Sequence, residues 1–118
     1  MSEWESSAYN CEKYGAKVSC LRFGAVLDAS GGMLKRLYHS FRFGFGAVMG
    51  RPEYKLSWVS LEDLCDAIIH IMHLKSISRA YNVTSPHACS KKSFSDCYAE
   101  SLGSKCRFSM PEWLVELI

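Results

Sequence analysis

The residues best suited to chemistry gather around one glycine-rich stretch. Arg42 and Arg51 flank Phe43-Gly44-Phe45-Gly46-Ala47-Val48-Met49-Gly50. A guanidinium presents a planar fork of donors that matches the oxygens of a diphosphate. Glycines let a ligand come close to the backbone. The run Gly44-x-Gly46-x-x-x-Gly50 misses the dinucleotide fingerprint by one residue. It also does not lead from a strand into a helix, as a pyrophosphate loop must. A tight loop that admits a substrate, plain loop packing and solvated surface arginines all stay open as accounts.

Other candidates are weaker. Ser30-Gly31-Gly32 stands at an expected helix start, where free N–H groups could meet an anion, although most capped starts bind nothing. His70 and His73 lie three residues apart and could share a helix face, but no third ligand follows at a zinc-site spacing. His39 and His87 have no evident partner. Six cysteines are many for 118 residues. No C-x-x-C occurs, and the polar, acidic start Met1-Ser2-Glu3-Trp4-Glu5 is no signal peptide. Free structural thiols in a reducing cytoplasm are therefore expected, with Cys20 in a strand and Cys65 and Cys97 filling small buried sites on helices. Asn82-Val83-Thr84 matches a glycosylation sequon but falls in an expected strand of a chain read as non-secreted.

The elements that must position these residues can be read from periodicity. Residues 3–14 form an expected helix, with Ser2 and Glu5 as a capping box, Trp4, Ala8 and Cys11 on one face, and Gly15 as its stop. Residues 17–23 read as a buried parallel strand, and residues 24–30 as a loop. Met33, Leu34, Leu37, Tyr38 and Phe41 give the next helix its stripe. Residues 43–52 read as a packed loop, because glycines and Pro52 oppose regular structure. Residues 54–59 form a strand. It hands over at Ser60, with Asp63 three residues on, to the longest amphipathic helix, 61–74. A strand follows at 79–84. Ser90 then caps a helix bearing Phe94, Cys97, Tyr98 and Leu102 and ending at Gly103. A strand at 105–110 and a helix from Pro111, carrying Trp113, Leu114, Leu117 and Ile118, complete the chain.

Strands alternating with helices define an α/β protein. At 118 residues and 48% apolar composition it forms one domain or part of one, able to bury a core. A net charge of +2 gives no footprint for nucleic acid or an acidic membrane surface, and no apolar run is long enough to span a bilayer. The apolar pattern still runs at the last residue, and the first helix has no strand before it to pack on. Both point to an incomplete module.

The order of motifs resembles the C-terminal half of the epimerase family of atypical extended short-chain dehydrogenase/reductases, the nucleoside-diphosphate-sugar epimerase type. The matching residues are Trp4-Glu5, Leu21-Arg22-Phe23-Gly24-Ala25-Val26-Leu27, Gly31-Gly32-Met33-Leu34, Phe41-Arg42-Phe43-Gly44-Phe45-Gly46, Gly50, Ser57-Trp58-Val59-Ser60-Leu61-Glu62-Asp63-Leu64, Tyr81-Asn82-Val83-Thr84-Ser85-Pro86 and Phe94. The resemblance implies the last parallel strands of a Rossmann-type, NAD(P)-binding fold plus a substrate-binding subdomain. On this reading residues 1–118 are one partial domain. The N-terminal cofactor half, with its glycine-rich loop and Tyr-x-x-x-Lys, is absent.

Several functional expectations follow from the resemblance. The intact enzyme would use NAD or NADP on a nucleotide sugar. This chain alone would bind no cofactor, hold no metal and carry no catalytic residue. Arg22, Arg42, Gly46, Arg51, Tyr54, Ser57 and Trp58 would lie near the substrate, with Arg42 and Arg51 on its diphosphate and Trp58 packing or stacking. Three positions depart from the family pattern. Pro52 replaces a glycine, Tyr54 a glutamine and Ser60 a histidine. The alternative is a non-catalytic, self-associating interaction module or degenerate product, a homo-oligomer joined through its exposed apolar end.

Overall fold

Gly24 divides the first extended stretch into two strands. In the computed structural model, which describes residues 3–44, 46–105 and 108–110, β1 (Cys20–Phe23) and β2 (Ala25–Leu27) belong to different sheets. β1 pairs in parallel with β6 (Ala80–Val83), in the register Cys20↔Ala80 to Phe23↔Val83. β2 pairs in parallel with β5 (Trp58–Ser60), from Ala25↔Trp58 to Leu27↔Ser60. The expected loop at 24–30 is thus partly strand. A chain that changes sheets within one residue needs a position without a side chain. A Cβ on Gly24 would stand 2.1 Å from the Ser57 carbonyl oxygen. That carbonyl accepts from the Ala25 N–H at 2.8 Å.

The stretch expected as one strand at 54–59 breaks at the same point. Its first part, β4 (Lys55–Leu56), pairs antiparallel with β7 (Cys89–Ser90), and its second part is β5. The glycine-rich segment, expected as a loop, contains β3 (Ala47–Met49), parallel to β8 (Phe108–Met110). Three extended residues suffice for a strand between flanking glycines, and the glycine count hid them. The helix expected from Pro111 and the cysteine at 106 lie outside the described residues.

The helices follow their caps. α1 (Glu3–Tyr9) tightens into a 3-10 turn (Asn10–Tyr14) and stops at Gly15, which adopts φ 82°. Ser2, the expected capping partner, lies outside the described residues. α2 (Gly32–Arg42) starts from Gly31 without a side-chain cap. α3 (Leu61–His73) starts at Ser60, whose hydroxyl accepts from the Asp63 N–H at 3.0 Å. α4 (Lys91–Ser101) starts at Ser90, which accepts from the Ser93 N–H at 3.0 Å.

Two small cores result. On the helical side, Phe41, Val48, Ser95 and Ala99 are buried. Phe41 meets Tyr98 with ring centroids 5.1 Å apart, and Tyr98 donates its hydroxyl to the Leu34 carbonyl at 2.8 Å. Burial raises the Tyr98 pKa, and the neighbouring Tyr38 adds to the shift. On the sheet side, Val59 and Leu64 are buried.

The expected single core is therefore thin. α1 buries no residue, and Trp4 is 87% exposed. Cys65 and Cys97, expected as buried thiols, are exposed, as is Cys11; Cys20 and Cys89 are half-buried. α3 carries apolar residues around too much of its circumference for one packing face. Leu64 is covered, while Ile69 and Met72 are exposed. The described molecule measures 53 × 28 × 23 Å, with a radius of gyration of 17.6 Å. A compact domain of this length would have about 13.5 Å.

The Gly24 contact is testable by substitution. Gly24→Ala must displace the Ser57 backbone and should cost about 3 kcal/mol or more. Gly15→Ala meets no atom within 4 Å and pays only for its left-handed backbone, about 1 kcal/mol. Urea unfolding of the two variants should separate them clearly. Equal losses would show that the Gly24–Ser57 approach does not constrain the fold.

Candidate functional site

The carboxyl ends of β1 and β6 meet beside Ser57 and Trp58. Beyond Phe23 lies Gly24, pressed against Ser57. Beyond Val83 lies Ser85, whose N–H donates to the Trp58 carbonyl at 2.7 Å. The Trp58 indole N–H donates to the His87 carbonyl at 3.2 Å, and the His87 N–H in turn donates to the Ser85 hydroxyl. Ser57 is exposed and Trp58 half-buried. In parallel α/β sheets the region beyond the carboxyl ends of the strands is where ligands bind. The backbone at Ser57–Trp58 is fixed from both sides at that place.

The other five expected site residues are distributed as follows. Arg51 and Tyr54 are together, with the Arg51 Nη1 donating to the Tyr54 hydroxyl at 3.0 Å and the guanidinium carbon 5.4 Å from the ring centre. Lys91 joins them from the start of α4, its Nζ 5.9 Å from the same centre. Gly46 is buried against the Phe41 ring, where a Cβ would come within 2.8 Å of Cδ1. The close approach this glycine permits is thus to Phe41. Arg42 is exposed in the last turn of α2, a favourable end for a cation.

Arg22 is engaged by α1. Its Nε and Nη2 donate to the two carboxylate oxygens of Glu5 at 2.6 and 2.8 Å, a bidentate pair. The hydrogen bond from Arg22 holds the Glu5 carboxyl below its ordinary pKa. The Arg22 side chain is half exposed and Glu5 is largely covered, so the pair fixes where α1 sits against β1.

Two shallow cavities lie apart from these residues. One, about 350 Å³, is lined by Glu12, Lys17, Lys75 and Arg79 among others. Arg79 stacks on Tyr9 at 4.1 Å and pairs with Glu12 at 3.5 Å there. The Tyr9 hydroxyl donates to the Arg79 carbonyl at 2.6 Å, and its pKa is raised, first by its hydrogen bond with Cys20. The second cavity, about 320 Å³, runs between α3 and β6 and includes His70, Ile71, Tyr81 and Val83. Among the described residues no group of His, Cys, Asp and Glu side chains is placed to hold a metal ion. No helix of the described residues is long and apolar enough to cross a membrane.

Parallel strand pairs joined by crossover helices, with a small helical lobe beyond the strand ends, define a partial Rossmann-type architecture. No family model matches the sequence. An epimerase family protein of Mycobacterium bovis is 29% identical over 109 residues, 92% of this chain and 36% of its own length. A nucleoside-diphosphate sugar epimerase of Corynebacterium glutamicum superposes with a TM-score of 0.70 and 27% identity, over 97% of this chain and 25% of that one. A human epimerase family protein solved with NADPH superposes at 0.76 and 22% identity, over 83% of this chain and 33% of its own. The fold is that of the C-terminal part of an extended short-chain dehydrogenase/reductase. The chain is a relative of the epimerase family proteins and spans about a third of the length of the curated relative it matches.

Sequence reasoning did not single out Lys91, and it took Gly24 as a loop start and as part of the family match, not as a point of close backbone approach. The Ser90 cap placed Lys91 at a helix start, but nothing local pointed to Tyr54, which reaches it through the β4–β7 pairing.

The Arg22–Glu5 pair makes a pH prediction. The folded-state pKa of Glu5 is depressed, so its contribution is present above the unfolded value and is lost as pH falls through the folded value. Carbon-detected NMR should find the Glu5 carboxyl titrating below the ordinary glutamate value. In Arg22→Gln, with the hydrogen bond gone, its titration should move up. An unchanged Glu5 midpoint in the variant would dismiss the pairing.

Proposed function

We propose that this chain is one partial domain that contributes the substrate-binding portion of an NAD(P)-dependent nucleoside-diphosphate-sugar epimerase or reductase, and is inactive alone. The observation that carries the reading is the position of Ser57–Trp58 across the carboxyl ends of β1 and β6. The names of its relatives and structural neighbours add the substrate class and the cofactor: one neighbour is a nucleoside-diphosphate sugar epimerase, and another was solved with NADPH.

In this reading Ser57 and Trp58 border the sugar nucleotide, Trp58 packing against it. Arg51 and Tyr54 lie on the diphosphate side, with Arg42 at the far end of the glycine-rich segment. Gly46 acts indirectly, by letting Phe41 close the subdomain beneath that segment. Arg22 orders the neighbouring α1 through Glu5. In the full-length enzyme the nicotinamide would take a hydride from a sugar carbon and return it, or reduce a carbonyl. NAD and NADP both fit the reading, because the residues that would choose between them belong to the cofactor half. The proposed location is the cytoplasm, where the five described free thiols would persist.

Titration of isotope-labelled protein with UDP-glucose should shift the Trp58 indole and the Ser57 amide. NADPH at the same concentration should shift neither. Tight, saturable NADPH binding would defeat the partial-domain reading.

A second reading is favoured by the exposed apolar side chains Trp4, Ile69 and Met72, which a solitary folded chain would leave in water. Here the chain persists as a self-associating, non-catalytic module. Sedimentation equilibrium should then show concentration-dependent assembly, with Met72→Lys shifting the population toward monomer. A well-folded species that stays monomeric at high concentration removes this alternative.

A further inference from the structure

We infer that Arg51, Tyr54 and Lys91 form a side-chain clamp for a phosphoryl anion, with pyrophosphate as the class of group it takes. The inference rests on the preceding reading only for the biological source of that group.

The turn that builds the clamp is specified locally. The Tyr54 N–H donates to the Arg51 carbonyl at 3.2 Å, closing a four-residue turn in which Pro52 holds the second position. Proline favours that place because its fixed φ is the one required. Pro52 and Tyr54 act together here. Proline makes the turn, and tyrosine fills it with a ring that both cations approach. The antiparallel β4–β7 pairing then sets Lys91 beside Tyr54, whose carbonyl accepts from the Lys91 N–H at 2.9 Å.

Two cations on one ring separate this cluster from the other described cations. Arg22, Arg79 and Lys92 each pair with a carboxylate, respectively Glu5, Glu12 and Asp96. Arg51 and Lys91 have no carboxylate partner among the described residues. Glu53, the acid inside the turn, is exposed and makes no ion pair with either. Lys91 also opens α4, whose first turn holds no acid, so its charge stands at the unfavourable end of the helix dipole. An anion beside it would relieve both costs.

The donors that remain free are those of the side chains. The Lys91, Lys92 and Ser93 N–H groups are already engaged by Tyr54, Pro52 and Ser90. The Tyr54 hydroxyl accepts from Arg51 and keeps its own proton to donate. Arg51 retains unused N–H groups, and the Lys91 ammonium is a compact charge on a flexible stem. Together they bring donors on two cations and a phenol to one ring, a set suited to the oxygens of a phosphoryl group.

Calorimetric titration of the full chain with inorganic pyrophosphate, at near-physiological ionic strength, tests this. One saturable site is expected. Arg51→Gln and Lys91→Met should each weaken it about tenfold or more, as expected for removal of a charge-assisted contact. Lys91→Arg should retain it, and Lys75→Met, at the other basic surface, should leave it unchanged. Circular dichroism identifies any variant that has not folded, and for Lys91 the arginine variant then carries the comparison. Absent saturation, or equal losses in Lys91→Met and Lys75→Met, overturns the clamp. UDP-glucose as competitor separates the two sources of the group. Displacement of pyrophosphate supports the clamp as a nucleotide-sugar subsite. Saturable pyrophosphate binding without displacement supports it as a site for free polyphosphate and removes the diphosphate contact from the preceding reading.

Discussion

The approach of Gly24 to the Ser57 carbonyl is the constraint on which the rest of the arrangement depends. At that point the chain leaves the β1–β6 pair and enters the β2–β5 pair, and the distance leaves no room for a side chain. Once Ser57 is held there, Trp58 must start β5, Ser60 must end it, and α3 must begin at Ser60. The hydrogen bond from Ser85 closes the other side of Trp58. Three segments far apart in sequence are thereby fixed beyond the ends of two parallel strands, with a tryptophan among them. That geometry places the candidate site without any contribution from a long-range core.

The core itself is divided. Phe41, Val48 and Ala99 serve the helical lobe, while Val59 and Leu64 serve the sheet. On the sheet side α1 is tied down by polar contacts, Arg22 to Glu5 and Tyr9 to the Arg79 carbonyl, while α2 packs on β2 and connects the two cores. A core divided in this way lets the lobes open more independently than the parts of a single-core domain. The radius of gyration, well above that of a compact chain of this length, is the same fact expressed as shape.

Local signals in the sequence were read well. The Ser60 and Ser90 caps, the helix stops at Gly15 and Gly103, and the strand at 79–84 depend on neighbours within a few residues, and the structure has them close to where periodicity put them. What failed required non-local information. β2 and β3 are only three residues long, too short for a period to show, and each is defined by its partner. Trp4 and Cys65 look like core residues by type, but burial depends on what lies opposite, and the described chain puts nothing there. The family resemblance supplied the site as a list. The structure then divided it, bringing Arg51 to Tyr54 and Ser57 to Trp58 while giving Arg22 to Glu5.

The positions expected to depart from the family pattern change meaning once Lys91 is included. Taken singly, a proline for a glycine and a tyrosine for a glutamine look like losses of a binding surface. In space they form a closed turn with a ring that approaches two cations, and neither cation has a described acid to neutralise it. Random replacement would not be expected to build a proline-fixed turn, bring Arg51 onto Tyr54 and leave the facing lysine uncompensated at a helix start that disfavours it. Local electrostatic conflicts of this kind tend to mark functional sites, because stability alone does not maintain them. Ser60 gives the contrast. In place of a histidine it makes a cap with a full local explanation, the 3.0 Å bond to Asp63, and no ligand is needed to account for it. The same short segment thus holds one residue explained by its cap and two that build a turn carrying a pair of cations, the arrangement the proposed clamp uses.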